Sequence, residues 1–289
     1  MTEPPAFSID GPLEGWISRA GRVVRTLRHG DPGCVCFLAV IDERRVFVRQ
    51  ARTEAARQAL DRVVHVYERV RHPALPPLWG YWMASDGPFV LFDWVKGERL
   101  ASPIHVLAGT GRHEPDGPHA RFRGLPLHQA LNALDVVLDL HQDLAQRGFV
   151  SGDFSDSSIL YDFQGMRPWV VHLDEFREEP LQTTAEPRCG SPLFLAPEES
   201  DPNQCPDERT SVFHLGRTAL MLLGDGSGEL AGWRGPQGLQ PVVARATCAD
   251  PDDRYLHMRD FVAAWRRETA HLSTPLLALP PPRPPQDTS

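Results

Sequence analysis

Lysine is almost missing from this chain. Of its 30 Lys and Arg residues only Lys96 is a lysine, so nearly every cation is a guanidinium and any chemistry that needs an ammonium has one candidate. Cysteine is scarce and unpatterned. Cys34, Cys36, Cys189, Cys205 and Cys248 are odd in number, widely scattered and without C-x-x-C spacing, which argues against a disulfide framework or a thiolate zinc site. No run approaches the roughly 20 apolar residues of a membrane span, and residues 1–10 lack the basic start and apolar centre of a secretion signal. The expectation is a cytoplasmic protein. Positive charge is not in surplus either: a net charge of −8 argues against a nucleic-acid partner, which calls for a concentrated basic face. What is present, 41% hydrophobic and 24% charged residues in a chain of 289, suits one large or two modest globular domains and excludes disorder throughout.

The pattern of the text changes along the chain. Residues 1–20 are mixed and Pro-containing, and read as a loose lead-in. The apolar stretches 34–41 and 45–50, separated by Asp42-Glu43-Arg44, predict a β-hairpin preceded by the turn Gly30-Asp31-Pro32-Gly33. From Thr53 to Arg71 apolar residues recur at 56, 59, 60, 63, 64, 67 and 70, the stripe of an amphipathic helix capped by Thr53. A further strand pair is expected over 75–83 and 88–95, turning at Ser85-Asp86-Gly87. Residues 107–124, rich in Gly, His, Arg and Pro, read as a surface loop or insertion. A long helix over 127–146 stops at Gly148. Short strands at 149–151, 158–163 and 169–173, an irregular stretch to about 207, and helices at 210–223, 240–247 and 258–269 complete the reading. The last fifteen residues hold six of the 28 prolines and predict a disordered or polyproline II tail over 271–289.

The fold class expected is therefore α+β and bilobal: a small β-rich N-lobe over about 21–95, a larger helical C-lobe over about 96–270, and a ligand cleft between them. The order of motifs carries more. Gly30-x-x-Gly33-x-Val35, Val46-Phe47-Val48-Arg49 and Phe92-Asp93-Trp94-Val95 are followed by Gly148-Phe149-Val150-Ser151-Gly152-Asp153. Then come Gly190-Ser191-Pro192, Ala196-Pro197-Glu198, Ser211-Val212-Phe213-x-Leu215-Gly216 and Asp252-Asp253-Arg254-Tyr255. In that order they resemble the glycine-rich loop, V-A-I-K strand, hinge, H-R-D loop, activation segment and later helices of the protein kinase family, of the bacterial eukaryotic-like serine/threonine type. The resemblance runs from about Val23 to Ala270.

It implies a kinase-like two-lobed fold, ATP and Mg2+ as ligands, and a protein as substrate or partner. Asp153 stands where the catalytic-loop aspartate would orient or accept the acceptor-hydroxyl proton; it also reads as a turn aspartate bonding nearby amides. Gly30, Gly33, Val35, Arg49, Asp93 and Val95 stand at nucleotide-contacting positions. Arg49 replaces the phosphate-binding lysine, keeping charge while changing shape, and Val63 stands where the helix glutamate is expected. The acidic line Glu54, Asp61 and Glu68 reads as a solvent-facing stripe. Ser158 replaces the metal-binding asparagine with a hydroxyl. Asp174 is the metal aspartate in one register and His172 takes its place in the other, where imidazole is a poor magnesium ligand. Arg28 stands at the first glycine of the loop, and Ser155 where lysine is usual. Ser211 replaces the aspartate that secures the catalytic loop, whereas Glu198 and Arg254 match the family's buried bridge.

Three readings stand at this point. The first is a pseudokinase with weak or absent nucleotide and Mg2+ binding, acting in signalling through its shape or its partners. The second is an active, divergent serine/threonine kinase using Asp153, Asp174 and Arg49. The third is a small-molecule phosphotransferase of the aminoglycoside or choline kinase type, suggested by Gly152 before Asp153 and opposed by the activation-segment motifs. Thr183, Thr184 and Ser191 are candidate phosphorylation positions.

Overall fold

The computed structural model describes residues 7–27, 33–101, 114–178, 192–201 and 203–272. Gly30, Thr183, Thr184, Ser191 and the prolines of the tail lie outside them. The chain divides between Val95 and Lys96 into two compact units.

The first unit is built on a six-stranded sheet. Its strands are β1 (Phe7–Ser8), β2 (Gly21–Leu27), β3 (Cys34–Ile41), β4 (Arg44–Ala51), β5 (Leu78–Ala84) and β6 (Gly87–Asp93), in the spatial order β1-β5-β6-β4-β3-β2. All neighbours are antiparallel except β1, which lies parallel to β5. The 34–51 hairpin turns at Asp42 and Glu43, both with positive φ.

Both faces of this sheet are covered, because successive side chains of a strand point to opposite sides. Phe37, Ala39, Ile41, Val46 and Val48 pack with Leu13 and Ile17 of helix α1 (Leu13–Ala20). Cys34, Cys36, Ala51 and Val90 pack on the opposite side with Ala56, Leu60 and Val64 of α2 (Glu54–Arg69). Thr53 caps α2, its hydroxyl accepting from the Ala56 N–H at 3.2 Å. Residues 7–20 thus correct the expected loose lead-in: Leu13 and Ile17, one turn apart on a short helix, are fully buried.

The second unit is mainly helical. It comprises β7 (Glu98–Arg99), α3 (Pro118–Arg123), α4 (Leu127–Ala145), β8 (Phe149–Ser151), β9 (Ile159–Asp162), β10 (Arg167–Val170), β11 (Phe176–Glu178), α5 (Glu208–Leu223), α6 (Leu239–Ala246) and α7 (Met258–Thr269). Strands β10, β9 and β7 form one small sheet and β11 with β8 another. Helix α5 is buried along almost its whole length and starts from an Asp207 cap. Helix α4 buries Leu131, Leu134, Val137, Leu138 and Leu144, and Asp135 and Asp139 bind Arg266 of α7 at 2.9 and 2.7 Å.

The described part of the expected 107–124 loop is a second correction. Residues 118–123 form α3, started by Pro118 at its first position and anchored by buried His119 and Phe122. Its glycine- and proline-rich surroundings hid a helix too short to show a period. Among the described residues no helix is long and apolar enough to cross a membrane.

Candidate functional site

In the second unit the β8–β11 ribbon sets the site. Phe176 pairs with Ser151 and Glu178 with Phe149, and the Gly152 N–H donates to the Glu175 carbonyl at 3.0 Å. This register brings the segment carrying Asp153, just past the end of β8, alongside the 3-10 turn Leu173–Glu175. His172 enters that turn in the left-handed conformation, φ 63°, and its Nε2 lies 2.7 Å from the Arg99 guanidinium. The expected strand histidine is therefore a turn residue tied to β7, and the Asp174 carboxylate, two residues on, is among the charges that act on Asp153.

Asp153 is largely buried, and burial pushes its carboxyl up to about 6. His214 opposes that shift, while the carboxylates of Glu175, Glu199 and Asp174 reinforce it. A carboxyl poised there sits within reach of the protonation change that general-base work requires.

The segment is held from behind by α5. Ser151 N–H donates to Ser211 Oγ at 2.9 Å, and Ser151 Oγ lies 3.1 Å from His214 Nδ1. The serine at 211, expected as a loss of the securing aspartate, makes a hydrogen bond to the loop itself. Past Asp153, Ser155 opens a 3-10 turn over 156–158: its hydroxyl accepts from the Ser157 N–H, and Ser158 Oγ accepts from the Ser155 N–H at 3.4 Å. Asp156 is fully buried with His119 Nε2 at 3.3 Å from its Oδ2. No sequence signal marked that pairing.

A magnesium ion is what the family resemblance implies here, and a hydroxyl at 158 is a poorer ligand for it than an amide carbonyl. The Ser158 hydroxyl is engaged inside its own turn, and a serine is too short to reach out as the amide it replaces would.

Glu198 and Arg254 form a bidentate pair, NH1 to Oε1 at 2.6 Å and NH2 to Oε2 at 2.8 Å, almost wholly buried. Thr210 Oγ1 donates to the same carboxylate at 2.7 Å, and the guanidinium also donates to the carbonyls of Cys248, Ala249 and Arg209. Gly216 allows α5 and α6 to touch: a Cβ there would lie 2.9 Å from Ala246 Cβ.

In the first unit Arg49 lies on β4, paired with Cys36 and Val90, and is 8% exposed. By strand alternation it shares a face with Phe47 and Ala51, the face covered by α2. On α2 Val63 is buried, and Asp61 is not part of a purely solvent-facing stripe: its carboxylate takes the Tyr81 hydroxyl at 2.7 Å and Arg57 at 3.2 Å. Gly33, φ 74°, opens β3 so close to the α2 cap that a Cβ would meet Thr53 Oγ1 at 2.3 Å. Val35 pairs with Gln50 and packs against the α1-side core. Asp93 accepts from Trp79 Nε1 at 2.9 Å and from Arg44 at 2.8 Å, and Val95 is half-buried.

No protein-family model matches the chain. It is similar to CBL-interacting protein kinase 25 of Oryza sativa subsp. japonica, 26% identical over 234 residues that cover 77% of this chain and 41% of the relative. The chain thus spans about two fifths of that relative's length. The mixed α+β architecture is compatible with that likeness to a protein kinase.

Proposed function

We propose that this chain is a pseudokinase of the serine/threonine type: a protein-kinase-like protein with phosphotransfer weak or absent, which acts in signalling by binding a protein partner. The observation that carries the reading is the engagement of the Ser158 hydroxyl within the 155–158 turn. Phosphoryl transfer depends on positioning and on charge neutralisation by metal, and a hydroxyl tied into its own turn is a weaker ligand than the amide carbonyl the motif calls for. The buried Glu198–Arg254 pair, by contrast, is intact. Gly33, Val35, Arg49, Asp93 and Val95, with Gly30, are the proposed nucleotide contacts. A guanidinium at 49 is compatible with phosphate contact in altered geometry.

A second reading, an active divergent serine/threonine kinase, is favoured by one observation: Ser211 still anchors the Asp153 segment. Radiolabel transfer from ATP to the chain itself or to a generic protein decides between them. Under the first reading wild type and Asp153→Ala label equally, at background. Transfer by the wild type that Asp153→Ala abolishes establishes the second.

A further inference from the structure

Three stretches far apart in sequence meet at one imidazole. His214 Nε2 lies 2.8 Å from Glu199 Oε2, and His214 Nδ1 lies 3.1 Å from Ser151 Oγ. The same Glu199 oxygen accepts the Ala196 N–H at 2.9 Å, fixing the 197–200 turn, and Thr218 Oγ1 donates to the His214 carbonyl at 2.8 Å. Ser151, Ser211 and His214 are nearly inaccessible, and Glu199 is 8% exposed.

We propose that His214 is a positioning residue for Asp153: oriented by Glu199, it hydrogen-bonds the Ser151 hydroxyl and, with Ser211, fixes the end of β8 from which Asp153 projects. The role concerns the placement of the Asp153 carboxylate and holds whether or not the chain transfers phosphate. The proton placement follows from the partners. A carboxylate oxygen accepts only, so Nε2 donates to Glu199; Nδ1 meets the Ser151 hydroxyl, which donates to a neutral ring and accepts from a charged one. Ser151 is held twice, at its backbone by Ser211 and at its hydroxyl by His214, and Asp153 follows two residues later. The arrangement makes good what the sequence removed. Serine stands where the H-R-D motif has histidine and serine where α5 should carry aspartate, and His214, one turn further along α5, supplies the second link. It also joins the turn after Ala196 to the Asp153 segment through Glu199.

The test uses the full-length, isotope-labelled chain in solution. Nitrogen-15 spectra of the His214 ring are expected to show a proton on Nε2, and the Ser151 amide is expected to exchange slowly. Ser151→Ala is expected to shift the Asp153 amide and carboxyl resonances while leaving the His214 Nε2 proton in place, and Ser151→Thr to restore them. Ser211→Ala is expected to speed Ser151 amide exchange about tenfold, the loss of one buried hydrogen bond. Should Ser151→Ala not fold, His214→Gln, which keeps a donor toward Glu199 and lacks Nδ1, is read in the same way. A ring without a proton on Nε2, or Asp153 resonances indifferent to both variants, overturns the proposal. A negative labelling assay would instead bear on the kinase readings and leave these spectra unchanged.

Discussion

Arg254 and Glu198 meet through two parallel hydrogen bonds, 2.6 and 2.8 Å, although 56 residues separate them. Burial works against the Glu198 charge, yet the bonds from Arg254 and Thr210 hold its carboxyl below the usual glutamate range. Truncating either partner strands a buried charge. Arg254→Ala and Glu198→Ala should each cost about 3–5 kcal/mol of unfolding free energy, and the double variant less than their sum. Urea denaturation measures this; a loss below about 1 kcal/mol would show that water relieves the stranded partner.

Asp153 makes an opposite pH prediction. Its folded carboxyl is raised to about 6, above the ordinary aspartate value near 3.8, so the folded state holds a proton that the unfolded chain has released. Stability from this group is present below the unfolded value and is lost as pH rises through about 6. Asp153→Asn should therefore stabilise the chain by about 2–3 kcal/mol at pH 7.5 and by little at pH 4. A variant equally stable at both pH values, relative to wild type, would place the carboxyl in water.

Nucleotide should act with little help from metal. If the residues around Ser158 offer no magnesium site, ATP with Mg2+ and ATP with a chelator should raise the melting temperature equally, by at most about 2 °C at millimolar ligand. A shift that appears only with Mg2+ would restore a metal site and weaken the pseudokinase reading.

At Gly216 helix α5 lies close against the end of α6. An added Cβ would lie 2.8 Å from Thr247 Cγ2 and 2.9 Å from Ala246 Cβ, so Gly216→Val should destabilise by about 1–3 kcal/mol through overpacking. Thermal melts followed by circular dichroism report it. Unchanged stability would mean that α6 slides freely along α5.

The sequence by itself determined the elements whose period runs along the chain. Helix α2 with its Thr53 cap, helix α4 and the stop at Gly148, helix α7 and the 34–51 hairpin are legible because apolar spacing and caps act within a few residues. The sequence also determined that the cation at 49 is a guanidinium, since a chain whose single lysine is Lys96 has none to place there. Tertiary structure alone decided the rest. Helix α1 forms because Leu13 and Ile17 find a sheet to cover, and α3 because His119 meets Asp156. Asp61 binds Tyr81 on a strand, and Ser151 reaches His214 across 63 residues. Such contacts leave no local trace: a buried hydrogen bond is chosen by whichever partner the packed chain brings within about 3 Å, and neither period nor motif carries that information.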